Sequence, residues 1–300
     1  MGHGIAQLFA GLDNQVYLYD ADSEVLEGAK EKIEANLVFL AKNGLGSREQ
    51  IAPTLGRIHT AENLAEAVSG AHFVLEAVVE KLLIKQDLFH DIDRLCPPDT
   101  ILATNTSVMS ITEIAAKCLR KERVVGTHFW NPPFLIPLVE VVPGRETAPD
   151  TVDRTVSLLK DAGKHPVRVK KDASGFVANR MQHALWREAV SIVENGIADA
   201  STVDECVKYS FGLRLPVLGP LENADLVGTD LTLSIHDYVL KHIERSPGPS
   251  PYLRRLVEEN HLGFKTGKGF LEWDQEKIAT VRERLLRHLI ASQKISREDD

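Results

Sequence analysis

Residues 2–20 read GHGIAQLFAGLDNQVYLYD. Gly2 to Gly11 has the spacing of an amphipathic helix opened by glycines, and residues 15–19 form a short strand that closes on Asp20. A glycine-opened helix followed by a strand ending on an acid is the second half of a dinucleotide-binding βαβ unit. Asp20 lies eighteen residues after Gly2, a spacing that suits a carboxylate accepting hydrogen bonds from ribose hydroxyls. It favours NAD over NADP, because a 2′-phosphate would face a like charge. A strand-end Asp is equally the N-cap of the helix that follows. The first half of the unit, a strand and two earlier glycines, is missing, and with it the amides that cradle a pyrophosphate. The expectation is that the natural protein carries roughly a dozen or more further N-terminal residues, enough for one strand and its turn.

Working outward, strands are predicted at residues 57–60, 72–78, 100–105, 124–127, 138–142 and 166–170. Helices are predicted at 23–43, 62–68, 110–117 and 148–162. This alternation predicts an α/β fold: a doubly wound, largely parallel, Rossmann-type NAD-binding domain over residues 1–172, with its first strand missing. From Ser174 the period becomes helical, at 177–195, 202–209, 224–242 and 252–260. An all-helical substrate and dimerisation domain is therefore expected over 173–274. Residues 275–300 add a charged helix and a polar tail. Met181, Leu185, Val190 and Val193 exceed what one small bundle needs, so a homodimer through this domain is expected, with a plain core as the alternative.

The 300 residues carry a formal charge of −8 and no basic run. Nucleic acid and anionic membrane are thus not expected partners, and a small-molecule substrate is. Cys96, Cys118 and Cys206 are widely spaced and odd in number. A disulfide framework and a metal site are not expected, and a reducing cytoplasm is. No long apolar run or signal-peptide pattern occurs, and Ala6 breaks the myristoylation pattern. The sequon Asn105-Thr106-Ser107 reads as chance.

Residues 123–143, RVVGTHFWNPPFLIPLVEVVP, place two apolar strands around a proline-rich turn. Glu140 sits inside the second strand, where a carboxylate is costly to bury without a partner. His128, at the end of the first strand, is that partner if the strands fold together. Such a pair would hold the imidazole tautomer and support its protonated form, as a general base requires. A lone His at a strand end is also an ordinary core or surface residue.

His-Phe-x-Asn-Pro, with Leu-Val-Glu ending twelve residues after the His, resembles the signature of the 3-hydroxyacyl-CoA dehydrogenase family. The stretch from Asn131 to Thr155 looks most like the lambda-crystallin and L-gulonate 3-dehydrogenase branch. Met1-Gly2-His3-Gly4-Ile5-Ala6 matches the tail of the family's glycine loop, with Gly2 as its third glycine. Further matches run through Asn105-Thr106-Ser107, Gly163–Val167, GFVANR at residues 175–180, and LGFKTGKGF at 262–270, so the resemblance covers nearly the whole chain.

The resemblance implies an NAD-dependent oxidoreductase of fatty acid metabolism that oxidises a 3-hydroxy group to a 3-keto group. His128 would be the base and Glu140 its partner. Ser107 and Asn179 would position the substrate, with Ser107 also touching nicotinamide. Glu80 and Lys85 would face the nicotinamide half of the cofactor. Asn131 would anchor cofactor or loop, and Lys265 would approach the cofactor. Without the resemblance, Ser107 reads as a helix N-cap. In the hydroxyacyl-CoA enzymes the helix at 23–43, with Lys30, Lys32 and Lys42, contacts CoA; a solvated face is the alternative.

Three substrate readings stay open. Helix 23–43 and the KTGKGF ending at 265–270 favour a short-chain 3-hydroxyacyl-CoA. Asn131-Pro132-Pro133 and Ile136-Pro137-Leu138 favour a free, gulonate-like 3-hydroxy acid. The absent glycine loop favours a non-catalytic, crystallin-like relative.

Overall fold

The computed structural model describes residues 1–298. The end of the polar tail, residues 299 and 300, lies outside the described residues. The chain forms two compact units: Met1–Asn179 together with the chain from Leu285 onward, and Arg180–Arg284.

In the first unit, α1 (Gly2–Ala10) leads through β1 (Val16–Leu18), α2 (Ser23–Lys42), α3 (Ile51–Gly56), β2 (Ile58–Thr60) and α4 (Leu64–Val68) to β3 (Phe73–Glu76). Then come α5 (Leu82–Leu95), β4 (Ile101–Thr104), α6 (Ile111–Ile114), β5 (Val124–Phe129), β6 (Leu138–Pro143), α7 (Pro149–Asp161) and β7 (His165–Arg168). The N-cap of α2 is Asp22, whose side chain accepts from the amides of Glu24 and Val25. Asp20, the expected cap, instead accepts from the Asp22 amide. Lys30, Lys32 and Lys42 are exposed along α2.

The doubly wound sheet is present in two pieces. β1 and β2 pair in parallel, Val16 opposite Ile58. β3-β4-β5-β6-β7 form a second sheet, parallel except for the antiparallel β5–β6 pair. No backbone ladder joins β1 to β3. Side chains of α1 bridge the break. Ile5, Leu8 and Phe9 pack with Ile101, Ala103 and Val125 of the larger sheet. Ala6 and Ala10 pack with Ile33 and Ile58 beside the smaller one. The larger sheet is covered on both faces: Val152, Val156 and Leu159 of α7 join the Ile5 cluster, and Phe89, Ile92, Ile111 and Ile114 pack on Leu102, Val124 and Val142. Strands buried on two faces explain the near-continuous apolar runs of the sequence.

The start of β5 is anchored by a buried ion pair. Arg123 Nη2 lies 2.8 Å from Asp93 Oδ1, and the guanidinium also donates to the carbonyls of Pro97 and Thr100.

α8 (Ala178–Glu194) opens the helical part of the chain, followed by α9 (Ala200–Lys208), α10 (Pro220–Val227), α11 (Thr229–Val239), α12 (Pro251–Glu258) and α13 (Gln275–Glu298). The single helix predicted over 224–242 is two helices, α10 and α11. Gly228 separates them with φ at +102°, a conformation that no helix can contain and that favours glycine. Residues 262–273 form a compact turn closed by Gly263–Lys268 bridging and by Phe264 against Trp273, ring centroids 4.5 Å apart. Lys265 is exposed on it.

Gly126, in the middle of β5, is as tightly enclosed as any position near the site. A Cβ there would stand 2.6 Å from Ile111 Cδ1 and 3.2 Å from Val142 Cβ. Gly126→Ala is expected to destabilise the protein by about 1–3 kcal/mol through overpacking, read as a lower urea midpoint with unchanged slope.

Candidate active site

β5 extends one residue past His128, which therefore lies within the strand and directly opposite Glu140 on β6. His128 Nδ1 is 2.8 Å from Glu140 Oε2, and both side chains are buried. The carboxylate is the acceptor, so Nδ1 carries the hydrogen and Nε2 is the nitrogen left to meet a substrate. Glu140 Oε1 accepts from the backbone amides of Val177 and Ala178, at 2.9 and 3.1 Å. Burial pushes the Glu140 carboxyl up, but the His128 bond and the two amides outweigh it and hold the group below the usual glutamate range.

Two aromatic rings fix the plane of the imidazole. Trp130 lies 5.2 Å and Phe176 5.7 Å from it, centroid to centroid. Phe176 has φ of +49°, an uncommon conformation for a bulky residue. Its ring contact and the two amides that follow it, both bound to Glu140, hold it there. Neither ring was among the residues expected at the site; an aromatic next to a His is too common a pattern to read from sequence.

The ends of β3 and β4 bring a second group together. Ser107 donates its amide to Glu80 Oε1 at 2.7 Å, and its carbonyl accepts from Asn179 Nδ2 at 2.9 Å. Lys85 Nζ lies 3.1 Å from Glu80 Oε2. The expected quartet Glu80, Lys85, Ser107 and Asn179 is thus one hydrogen-bonded cluster. Burial raises the Glu80 carboxyl, while the Thr106 hydroxyl, the Ser107 amide and Lys85 lower it further, leaving it below the ordinary value. Lys85 itself is turned inward and fully buried, so Glu80 is the member of the pair with an exposed edge. Ser107 caps no helix; Ser110 caps α6.

Asn131 is exposed at the start of the turn between β5 and β6. That turn is held from three sides. Lys164 Nζ donates to the carbonyls of Pro133 and Ile136 at 2.5 and 2.8 Å, and Gln293 of α13 donates to Leu135 at 2.8 Å. A Cβ on Gly4 would stand 2.8 Å from Pro133 Cγ, so α1 approaches the turn where only glycine fits. Burial pushes the Lys164 amine down to about 8.

The residues fit a dinucleotide. Gly2 opens α1, and a Cβ there would meet nothing nearer than Ala77 Cβ at 4.0 Å, so a ligand can approach the helix N-terminus. Asp20 follows β1 and is exposed, with an oxygen to offer ribose hydroxyls. Glu80 and Ser107 follow β3 and β4, the edge where α/β sheets bind ligands. Lys265 belongs to the second unit.

Residues 1–173 match the family model for the NAD-binding domain of 3-hydroxyacyl-CoA dehydrogenase, and residues 175–273 match its C-terminal domain. The chain is 34% identical over 295 residues to 5-formyl-3-hydroxy-2-methylpyridine 4-carboxylate 5-dehydrogenase of Mesorhizobium japonicum, covering 98% of this chain and 94% of that one. It is 37% identical over 277 residues to a probable 3-hydroxybutyryl-CoA dehydrogenase of Bacillus subtilis, covering 92% and 95%. A crystal structure of the pyridine-carboxylate enzyme, described as an NAD+ dependent dismutase, superposes with a TM-score of 0.90 at 34% identity, covering 98% of this chain and 94% of that one. With residues 1–173 and 175–273 matched to its two domains, the chain belongs to the 3-hydroxyacyl-CoA dehydrogenase family of NAD-dependent oxidoreductases acting on CH–OH groups.

Proposed function

We propose that the protein oxidises the 3-hydroxyl of a short-chain 3-hydroxyacyl-CoA to the ketone, with His128 as general base. The observation that carries this reading is the buried His128–Glu140 pair, which leaves Nε2 as the proton acceptor. His128 Nε2 takes the hydroxyl proton, and Glu140 stabilises the imidazolium that forms. Bound NAD supplies the acceptor for the hydride that leaves the carbinol carbon. Gly2 and Asp20 hold the adenosine and pyrophosphate side, Glu80 and Ser107 the nicotinamide side, and Lys85 steadies Glu80. Ser107 and Asn179 orient the substrate, and Asn131 steadies the turn. Run in reverse, the same site reduces a 3-keto compound.

A second reading concerns the substrate. The 34% identity to a dehydrogenase named for a free pyridine carboxylate supports a free 3-hydroxy acid in place of a CoA thioester. Saturation with acetoacetyl-CoA and NADH supports the first reading; saturation only with free 3-hydroxy acids supports the second.

The setting we propose is cytoplasmic and, for the thioester reading, fatty acid metabolism. Among the described residues no helix is long and apolar enough to cross a membrane, and all three cysteines are free thiols. We further propose a homodimer through the helical unit. Leu221, Leu226, Leu233 and Tyr238 on α10 and α11 are 79%, 72%, 62% and 75% exposed, apolar side chains that a second copy would cover.

Replacing His128 with Ala is expected to lower turnover by about 10²–10⁴ while NAD+ binding persists; turnover near that of the parent protein overturns the base assignment. Glu140 also sets an acid limit. Its folded value lies below the ordinary 4.5, so in that window the unfolded chain binds more protons and stability rises with pH. The contribution is complete above pH 4.5 and is lost as pH falls through the folded value. Glu140→Gln should therefore flatten the acid limb of stability against pH, measured by denaturant titration. Sedimentation equilibrium should return twice the monomer mass, and a monomer at micromolar concentration would refute the dimer.

A further inference from the structure

The buried Lys85 has a second carboxylate partner, Glu76, with no role in the reading above. Glu76, the last residue of β3, has a side chain that is 0% exposed. Its Oε1 receives Lys85 Nζ at 2.7 Å and the Val78 amide at 2.7 Å. Its Oε2 receives the Thr104 hydroxyl at 2.6 Å, from the residue directly opposite on β4. Lys85 is 1% exposed and gives its remaining capacity to Glu80 Oε2 at 3.1 Å and the Val78 carbonyl at 3.5 Å. Two carboxylates thus share one enclosed ammonium.

Outward from that core the bonds continue as a chain. Glu80 Oε1 accepts from the Thr106 hydroxyl at 2.5 Å and the Ser107 amide at 2.7 Å. Ser107 in turn receives Asn179. Lys85 cannot reach out to a ligand without leaving Glu76 buried and uncompensated, which is costly. Its effect on the ligand edge therefore passes through Glu80, and its own position is set by Glu76.

We propose that Glu76 is a positioning residue for the cofactor edge: by holding Lys85 it orients the Glu80 carboxylate and thereby the Ser107 backbone. The inference rests on the assignment of Glu80 and Ser107 to that edge. It explains why an acid stands within the apolar run FVLEAVV at residues 73–79. The paired Lys85 comes nine residues later, on the inward face of α5.

The test uses the full chain and two variants. Glu76→Gln keeps the shape and one acceptor oxygen, turns the other acceptor into a donor, and removes the charge that holds Lys85. Glu76→Leu combined with Lys85→Met removes both charges, an exchange buried ion pairs commonly tolerate. Hydrogen exchange of the Ser107 amide, followed by NMR, is expected to quicken by about tenfold or more in both, the loss of a bond to a charged group. Amides of β5 and β6 should be unchanged. NAD+ affinity by calorimetry should fall by about tenfold. Unchanged Ser107 exchange in a folded variant overturns the inference. Uniform acceleration through β4, β5 and β6, or failure of both variants to fold, assigns Glu76 to stability alone and overturns it as well. Glu80→Ala separates the underlying reading. If it leaves NAD+ affinity intact while Glu76→Gln still frees Ser107, the positioning role stands and the cofactor assignment of Glu80 falls.

Discussion

The first unit is organised around one buried carboxylate. Glu140 is enclosed within an otherwise apolar strand, and a charge there is tolerable only if its lone pairs are met. One oxygen faces the imidazole on the neighbouring strand and the other faces two successive amides at the entry to α8. Two other parts of the chain, β5 and the entry to α8, thus converge on its two oxygens. A slip of one residue between β5 and β6 would turn Glu140 to the other face and break all three bonds. The strand register, the tautomer of His128 and the course of the chain at residues 176–178 are consequences of the same requirement.

The sequence made this pair legible because a lone acid in an apolar strand is a visible anomaly. The same anomaly stands at Glu76, and the same rule would have found it. What sequence could not show was its partner, since Lys85 lies among other polar residues on a helix and nothing in the spacing marks it as the one turned inward. The cap of α2 lies two residues beyond Asp20, whose reading as a cap was the alternative to a ribose ligand; both acids are suitable, and the backbone conformation at Asp22 decides. The division of α10 from α11 depended on the backbone angle of Gly228, whereas an isolated glycine in a helical pattern is often tolerated. The α/β alternation, the helical remainder and the change of period between them followed from periodicity alone, which burial imposes directly.

The turn between β5 and β6 shows how distant chain is recruited to shape a site. Its proline-rich sequence leaves few amides to bond with one another. Carbonyls of Pro133, Leu135 and Ile136 are satisfied instead by Lys164, after α7, and by Gln293, near the end of α13. The turn that follows β5 therefore depends on residues far along the chain. Helix α13 has a structural part in it that its charged composition did not suggest.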